Sequence, residues 1–177
     1  MKIVIGSDHA GFNYKSHLIK LLNSMGHTVQ DIGTNSSQSV DYPDFGEKGA
    51  RIVACGEADM GILICGSGIG MDIVANKIKR IRSAACWNVE TARLARAHNH
   101  ANVLCLGERL LSLDECIKIT KTFINTPVSS QERHRRRVDE IIDIEEILRN
   151  IEEDHEFEIN NLADTQKAVL KCLGLIG

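Results

Sequence analysis

Cys65 closes a short apolar run, Ile62-Leu63-Ile64, and is followed at once by Gly66-Ser67-Gly68-Ile69-Gly70. So short a run suits a central parallel strand better than a buried helix. Alternating glycines remove the side chains that would hold a ligand off the backbone and let successive N–H groups aim at one point. Such a turn favours an anion. A helical pattern from about Met71 to Lys79 would add the positive end of its dipole at the same spot. A thiolate could be stabilised there. The turn by itself also fits a tight strand-to-helix connection with a buried, inert thiol. It is not a dinucleotide fingerprint, since Met71 stands where the third glycine belongs, nor a nucleotide P-loop, since no G-K-[ST] follows.

Other polar residues could join this turn. Asp8 and His9 follow the first apolar run, Tyr42 lies in a polar loop, and His98 and Asn99 precede the last short apolar run. Together they could bind and reprotonate a small polar anion. Singly, each has a structural reading: Asp8 as a helix cap, the histidines as hydrogen-bonded fillers, Tyr42 as part of a turn. Late in the chain, Arg133 and Arg137 of the run Arg133-His134-Arg135-Arg136-Arg137 are four apart, so one helix face would carry two guanidinium groups suited to a phosphate. Nucleic acid is a weak partner for this run, because Asp139, Glu140, Asp143, Glu145 and Glu146 follow and no aromatic is interleaved.

The elements that must position these groups alternate along the chain. Strands are expected at Lys2–Gly6, Thr28–Ile32, Ile62–Ile64, Ser83–Cys86 and Val103–Leu106. Helices are expected from Asn13 to Met25, from Asp44 (a possible N-cap with Glu47) to Cys55, after the glycine turn, from Val89 to Ala97, and from the Ser112/Glu115 capping box to Phe123. This pattern predicts an α/β fold with a doubly wound five-stranded parallel sheet and right-handed crossovers. Its ligand should lie beyond the C-terminal strand ends, where Asp8, His9, Tyr42, Cys65, the glycines, His98 and Asn99 are expected to converge. A last helix carries a stripe of Val138, Ile141, Ile142 and Leu148, interrupted at Glu145, which suits packing on a partner subunit.

The 177 residues, 43% of them hydrophobic, suffice for one full core. A net charge of -3 and a pI near 6.2 give no global reason to expect nucleic acid or an anionic membrane as partner. No apolar run approaches the ~20 residues of a membrane span. The first residues read as a strand rather than a signal peptide, so a cytoplasmic protein is expected. The six cysteines include no C-x-x-C pair and read as reduced thiols.

Gly6-Ser7-Asp8-His9-Ala10-Gly11, Asp41-Tyr42-Pro43, Gly61 to Gly70, Ala75-Asn76-Lys77, Ile81-Arg82, His98-Asn99, Ala101 to Leu104, and Arg133-His134 with Arg137-Val138 together resemble the type B ribose-5-phosphate isomerases, a family in a wider group with galactose-6-phosphate isomerases. The resemblance covers Met1 to Arg149 and implies a Rossmann-like α/β/α sandwich forming a homodimer, with a tetramer as the alternative, and active sites at the subunit interface. It implies interconversion of ribose 5-phosphate and ribulose 5-phosphate without cofactor or metal. By resemblance, Cys65 is the base acting through a cis-enediolate, with Ser67 and the backbone of Gly66, Gly68, Ile69 and Gly70 stabilising the oxyanion. His98 and Asp8 are the expected ring-opening groups, Tyr42 and Asn99 position the sugar, and His9, Arg109, Arg133 and Arg137 hold the phosphate. A six-carbon aldose phosphate such as allose or galactose 6-phosphate is the alternative substrate. A non-catalytic sugar-phosphate-binding module is a further alternative, which intact Cys65 and His98 oppose. Two departures stand out: His100 replaces an aspartate common in the family, and residues 150–177 form an extension with an acidic connector at 152–158 and an amphipathic helical pattern at Ala163–Leu173.

Overall fold

In the computed structural model, Lys2–Ser7 (β1), Thr28–Asp31 (β2), Met60–Cys65 (β3), Ser83–Ala85 (β4) and Val103–Gly107 (β5) pair in parallel in the order β2-β1-β3-β5-β4. The structure describes residues 1–153, with side chains to residue 147, and residues 169–174. Helices Phe12–Ser24 (α1), Tyr42–Ala54 (α2), Ile69–Ala75 (α3), Val89–Asn99 (α4), Leu113–Asn125 (α5) and Glu132–Glu153 (α6) connect and follow the strands. The expected doubly wound sheet is present.

Both sheet faces are covered, which is why the central strands are apolar at every position rather than at alternate ones. Ile3, Ile5, Ile62, Ile64, Leu104 and Leu106 point to one face and pack with Leu18 and Leu22 of α1, Ala92 of α4 and Phe123 of α5. Val4, Leu63, Cys65, Val103 and Cys105 point to the other, against Ala50 and Val53 of α2 and Met71 of α3. Burying each large side chain of this kind stabilises the fold by about 1.5–3 kcal/mol. The Ser112/Glu115 capping box forms, with Ser112 N–H donating to Glu115 Oε2 at 2.8 Å.

Two helix starts differ from the sequence expectation. α2 begins at Tyr42, not at an Asp44 cap, because Pro43 suits the first helical turn, where its missing N–H costs nothing. Glu47 there accepts a bond from Arg51 Nε at 2.8 Å instead of closing a capping box. α3 begins at Ile69, directly on the glycine turn, and ends at Ala75 rather than Lys79.

The chain divides into two units, Met1–Glu140 and Ile141–Gly177. In the second, Ile141, Ile142, Ile144 and Ile147 of α6 are exposed. The acidic connector falls largely outside the described residues, and of the helix expected at Ala163–Leu173 only residues 169–172 are described as helical. Among the described residues no helix is long and apolar enough to cross a membrane.

Candidate active site

The strand order reverses direction between β1 and β3, and the crevice opens where such a sheet places it, beyond the C-terminal ends of these two strands. A cleft of about 310 Å³ there is lined by Asp8, His9, Ala10, Tyr42, Cys65, Gly66, Ser67, Gly70, Arg109 and Leu110. Eight of the expected site residues meet in it.

Cys65 is the last residue of β3, and its thiol lies on the α3 side of the sheet. The chain turns so sharply after it that Gly68, at φ 81° in the left-handed region open to glycine, directs its own N–H back onto Cys65 Sγ at 3.2 Å. The sulfur thus accepts a backbone N–H donated from the residue that opens α3. Ser67 Oγ accepts the N–H of Ile69 at 3.3 Å and so braces the same turn. Gly107 ends β5 directly beneath it, where an added Cβ would lie 2.6 Å from the Ser67 carbonyl carbon and oxygen.

The loop after β5 is tied to this turn: Glu108 N–H donates to Cys65 O and Arg109 N–H to Gly66 O, each at 3.0 Å. The Arg109 side chain then lies over Gly66, 3.3 Å from where a Cβ would stand. The Glu108 carboxylate accepts the Tyr14 N–H at 3.0 Å and so caps α1, linking the Arg109 side of the cleft to the loop after β1. In that loop Asp8 Oδ1 accepts the N–H groups of Ala10 at 2.9 Å and Gly11 at 3.1 Å, so its capping role is realised. His9 Nδ1 lies 3.2 Å from both backbone polar groups of Val40, which fixes its ring at the cleft. Tyr42, in the first turn of α2, lays its ring against Gly70, 2.7 Å from where a Cβ would stand.

His98, Asn99, Arg133 and Arg137 are not in the cleft. α4 starts beyond the C-terminal end of β4 and runs back along the sheet, so its last turn ends where β5 begins. Arg82, just before β4, donates from Nε to Asn99 O at 3.1 Å and confirms that position. The expectation that His98 and Asn99 share the sheet edge of Cys65 is thus overturned by the return path of a parallel crossover. Five residues of β5 at about 3.3 Å each put roughly 15 Å between the two edges.

At the far edge the His98 ring stacks on His134, with centroids 4.0 Å apart and planes 9° from parallel. Arg133 and Arg137 flank His134 on α6, both exposed. Burial, then His98, Arg133, Arg137 and His100, hold the His134 imidazole below its ordinary value. His100 caps α4 in the left-handed region, at φ 50°. Gly68 and Ile69 also stand outside the cleft lining; the Ile69 side chain faces an adjoining apolar hollow of about 250 Å³ with Trp87 and Leu110. Sequence reasoning missed Glu108 and Leu110, for which no motif exists, and left His134 without a role although it sits between two singled-out arginines.

Comparison with known proteins accords with this arrangement. A family model described as Ribose/Galactose Isomerase matches residues 3–141. Ribose-5-phosphate isomerase B of Escherichia coli is 41% identical over 145 residues, covering 82% of this chain and 97% of that one. The structure of Clostridium thermocellum ribose-5-phosphate isomerase B aligns with TM-score 0.81 and 47% identity, over 84% of this chain and 99% of that one. That of ribose-5-phosphate isomerase B from Mycoplasma genitalium with bound ribulose 5-phosphate aligns with TM-score 0.77 and 39% identity, over 82% and 96%. The matched span holds all five strands, the cleft and the histidine–arginine cluster, and the chain belongs to the ribose/galactose isomerase family.

Proposed function

We propose that the chain interconverts ribose 5-phosphate and ribulose 5-phosphate with Cys65 as the base. The observation that carries this is the Gly68 N–H on Cys65 Sγ at 3.2 Å, inside a cleft with a phosphate-competent arginine. The relatives named above as ribose-5-phosphate isomerases make the pentose the first substrate to test. A thiol takes a proton only as its thiolate, and the Gly68 N–H is the donor placed to meet that charge. The thiolate takes the C2 proton of the opened aldose, and a cis-enediolate forms as charge moves onto O1. The resulting thiol returns a proton to C1 while the hydroxyl proton passes from O2 to O1. Loop N–H groups and Ser67 stabilise the developing oxyanion. Tyr42 and Asn99 position the sugar, His9, Arg109, Arg133 and Arg137 hold the phosphate, and His98 with Asp8 opens the furanose.

Because His98, Asn99 and the two α6 arginines stand at the opposite edge from Cys65, we infer a homodimer in which each cleft is completed by the partner's edge. The rim offers cover for such a partner: Ile69, Trp87 and Leu110 are 57%, 66% and 68% exposed. Reduced cysteines suit the cytoplasm as the location.

The test uses two inactive variants. Cys65→Ala is expected to abolish turnover while keeping substrate binding, and His98→Asn to slow it severely. Refolding the two together restores one intact cleft in each mixed dimer, so roughly a quarter of wild-type sites return in a symmetric dimer. No regain on mixing would refute the shared site, and near-wild-type turnover by Cys65→Ala would remove Cys65 as base.

A further inference from the structure

We propose that His134 is a positioning residue for His98: its stacked ring holds the His98 imidazole at one angle for ring opening, and itself exchanges no proton with substrate. This rests on the ring-opening role of His98. That residue lies in the last turn of α4, next to the residue that closes it, so its ring needs a second surface to keep one orientation. His134 supplies it, with centroids 4.0 Å apart and planes within 9°.

The approach of α6 to α4 is built for this contact. Ser129 N–H donates to Ala97 O at 2.9 Å, Ser129 Oγ accepts Gln131 N–H at 3.2 Å, and Gln131 O accepts His134 N–H at 3.0 Å. These bonds run from the residue before His98 to His134 itself, so the two rings share one frame. Packing alone does not explain an imidazole here. His134 is 4% exposed, and its Nε2 is buried with no hydrogen-bond partner among the described residues, a costly choice where Leu or Phe would fill the space.

Its surroundings explain the choice. From α4 it faces His98 and His100, and from α6 Arg133 and Arg137, all able to carry positive charge. Burial, then these neighbours, hold the His134 imidazole below its ordinary value, which favours its neutral form. A neutral ring can stack on His98 without charge repulsion.

Three variants are compared on ribose 5-phosphate, which is mainly cyclic, and on erythrose 4-phosphate, a linear aldose phosphate that cannot close the equivalent ring. His134→Ala, which removes the surface, is expected to lower kcat on the cyclic substrate by roughly tenfold to a hundredfold and leave the linear one within about twofold. His134→Phe, which keeps a ring and fills the volume, is expected to recover most of that loss. A raised KM on both substrates in the Phe variant would make His134 a phosphate contact and overturn the inference, as would equal losses on both substrates in His134→Ala. His98→Asn is measured beside them. Equal losses there remove the ring-opening role and the inference with it, whereas a selective His98→Asn beside an unselective His134→Ala removes the inference alone.

Discussion

Gly107→Ala adds one methyl group beneath the turn that carries Ser67, and the structure says how far the turn must move. The new Cβ would stand 2.6 Å from the Ser67 carbonyl carbon and oxygen and 2.9 Å from its Cα. Ordinary contact begins near 3.4 Å, so the Ser67 backbone must retreat by about 0.8 Å, and backbone on both sides leaves no flexible side chain to yield instead. Overpacking of this kind costs about 1–3 kcal/mol of stability. On the proposed mechanism the larger consequence is catalytic, because the same turn directs the Gly68 N–H onto Cys65 Sγ. Misplacement on the scale of 1 Å can cost about 10²-fold in rate, so kcat on ribose 5-phosphate should fall by roughly 10- to 100-fold with a much smaller change in KM. Gly61→Ala is the matched control. It is also a buried strand glycine, near the start of β3, but the nearest atoms its Cβ would meet are methyl groups of Val53 and Val103 at 3.2 Å, which can shift. That variant should lose some stability and keep kcat. Steady-state kinetics with thermal melts of both variants decide the matter: a folded Gly107→Ala protein with kcat within about twofold of wild type would refute the claim that this turn must be held to sub-ångström tolerance.

Replacing Arg133 or Arg137 by Ala is expected mainly to raise KM, since a phosphate held equally in ground and transition states contributes uniform binding; a lowered kcat at unchanged KM would contradict this. Thiol chemistry should sort the cysteines. Burial pushes the Cys86 thiol up to about 11 and Cys116 to about 12, and Cys105 rises well above the usual thiol range for the same reason. At pH 8 iodoacetamide should therefore label exposed Cys55 and Cys172 without effect, and inactivation should track an adduct at Cys65 that substrate slows; inactivation tracking Cys86, Cys105 or Cys116 would count against Cys65 as base. Stability should also respond to pH through His134. Its folded value lies below the ordinary ~6.5, so as pH falls through 6.5 the unfolded chain takes up a proton that the folded chain refuses, and stability is lost on the acid side. His134→Phe should flatten that limb of a Tm-against-pH curve, and parallel curves for variant and wild type would show that His134 is not its source.

The fold was legible because its signals are local. Apolar runs bounded by glycine, such as Ile62 to Ile64 before Gly66, need both faces of a sheet buried, and the Ser112/Glu115 box marks a helix start from side-chain chemistry alone. The cleft followed from the same alternation, since loops after β1 and β3 must meet at the reversal of strand order. What failed was local competition. Asp44 and Glu47 form a good capping pair in isolation, but Pro43 allows the helix to begin earlier and Arg51 takes the glutamate. Glu108 could not be foreseen, because its worth lies in reaching the N-terminus of α1 nearly a hundred positions away, and no short pattern records that contact.

The placement of His98 was the instructive failure, since the information needed was present in the order of elements. A crossover helix between parallel strands has to carry the chain back to the edge from which the next strand starts. Whatever sits on its last turn therefore stands at the N-terminal edge, and Asn99 closing α4 four residues before Val103 puts His98 there by topology alone. Ending the helix at Ala97 and treating His98-Asn99 as loop hid this, because a loop can be imagined reaching any edge. With α4 complete, no rearrangement short of unfolding brings His98 to its own Cys65 across roughly 15 Å of sheet. The roles proposed for Cys65 and His98 therefore require that a second chain present its far edge to the first chain's cleft. In the proposed dimer His98, its stacking partner His134 and two phosphate-competent arginines all belong to that one edge, so a single docking event would deliver them together and exclude water from the cleft at the same moment.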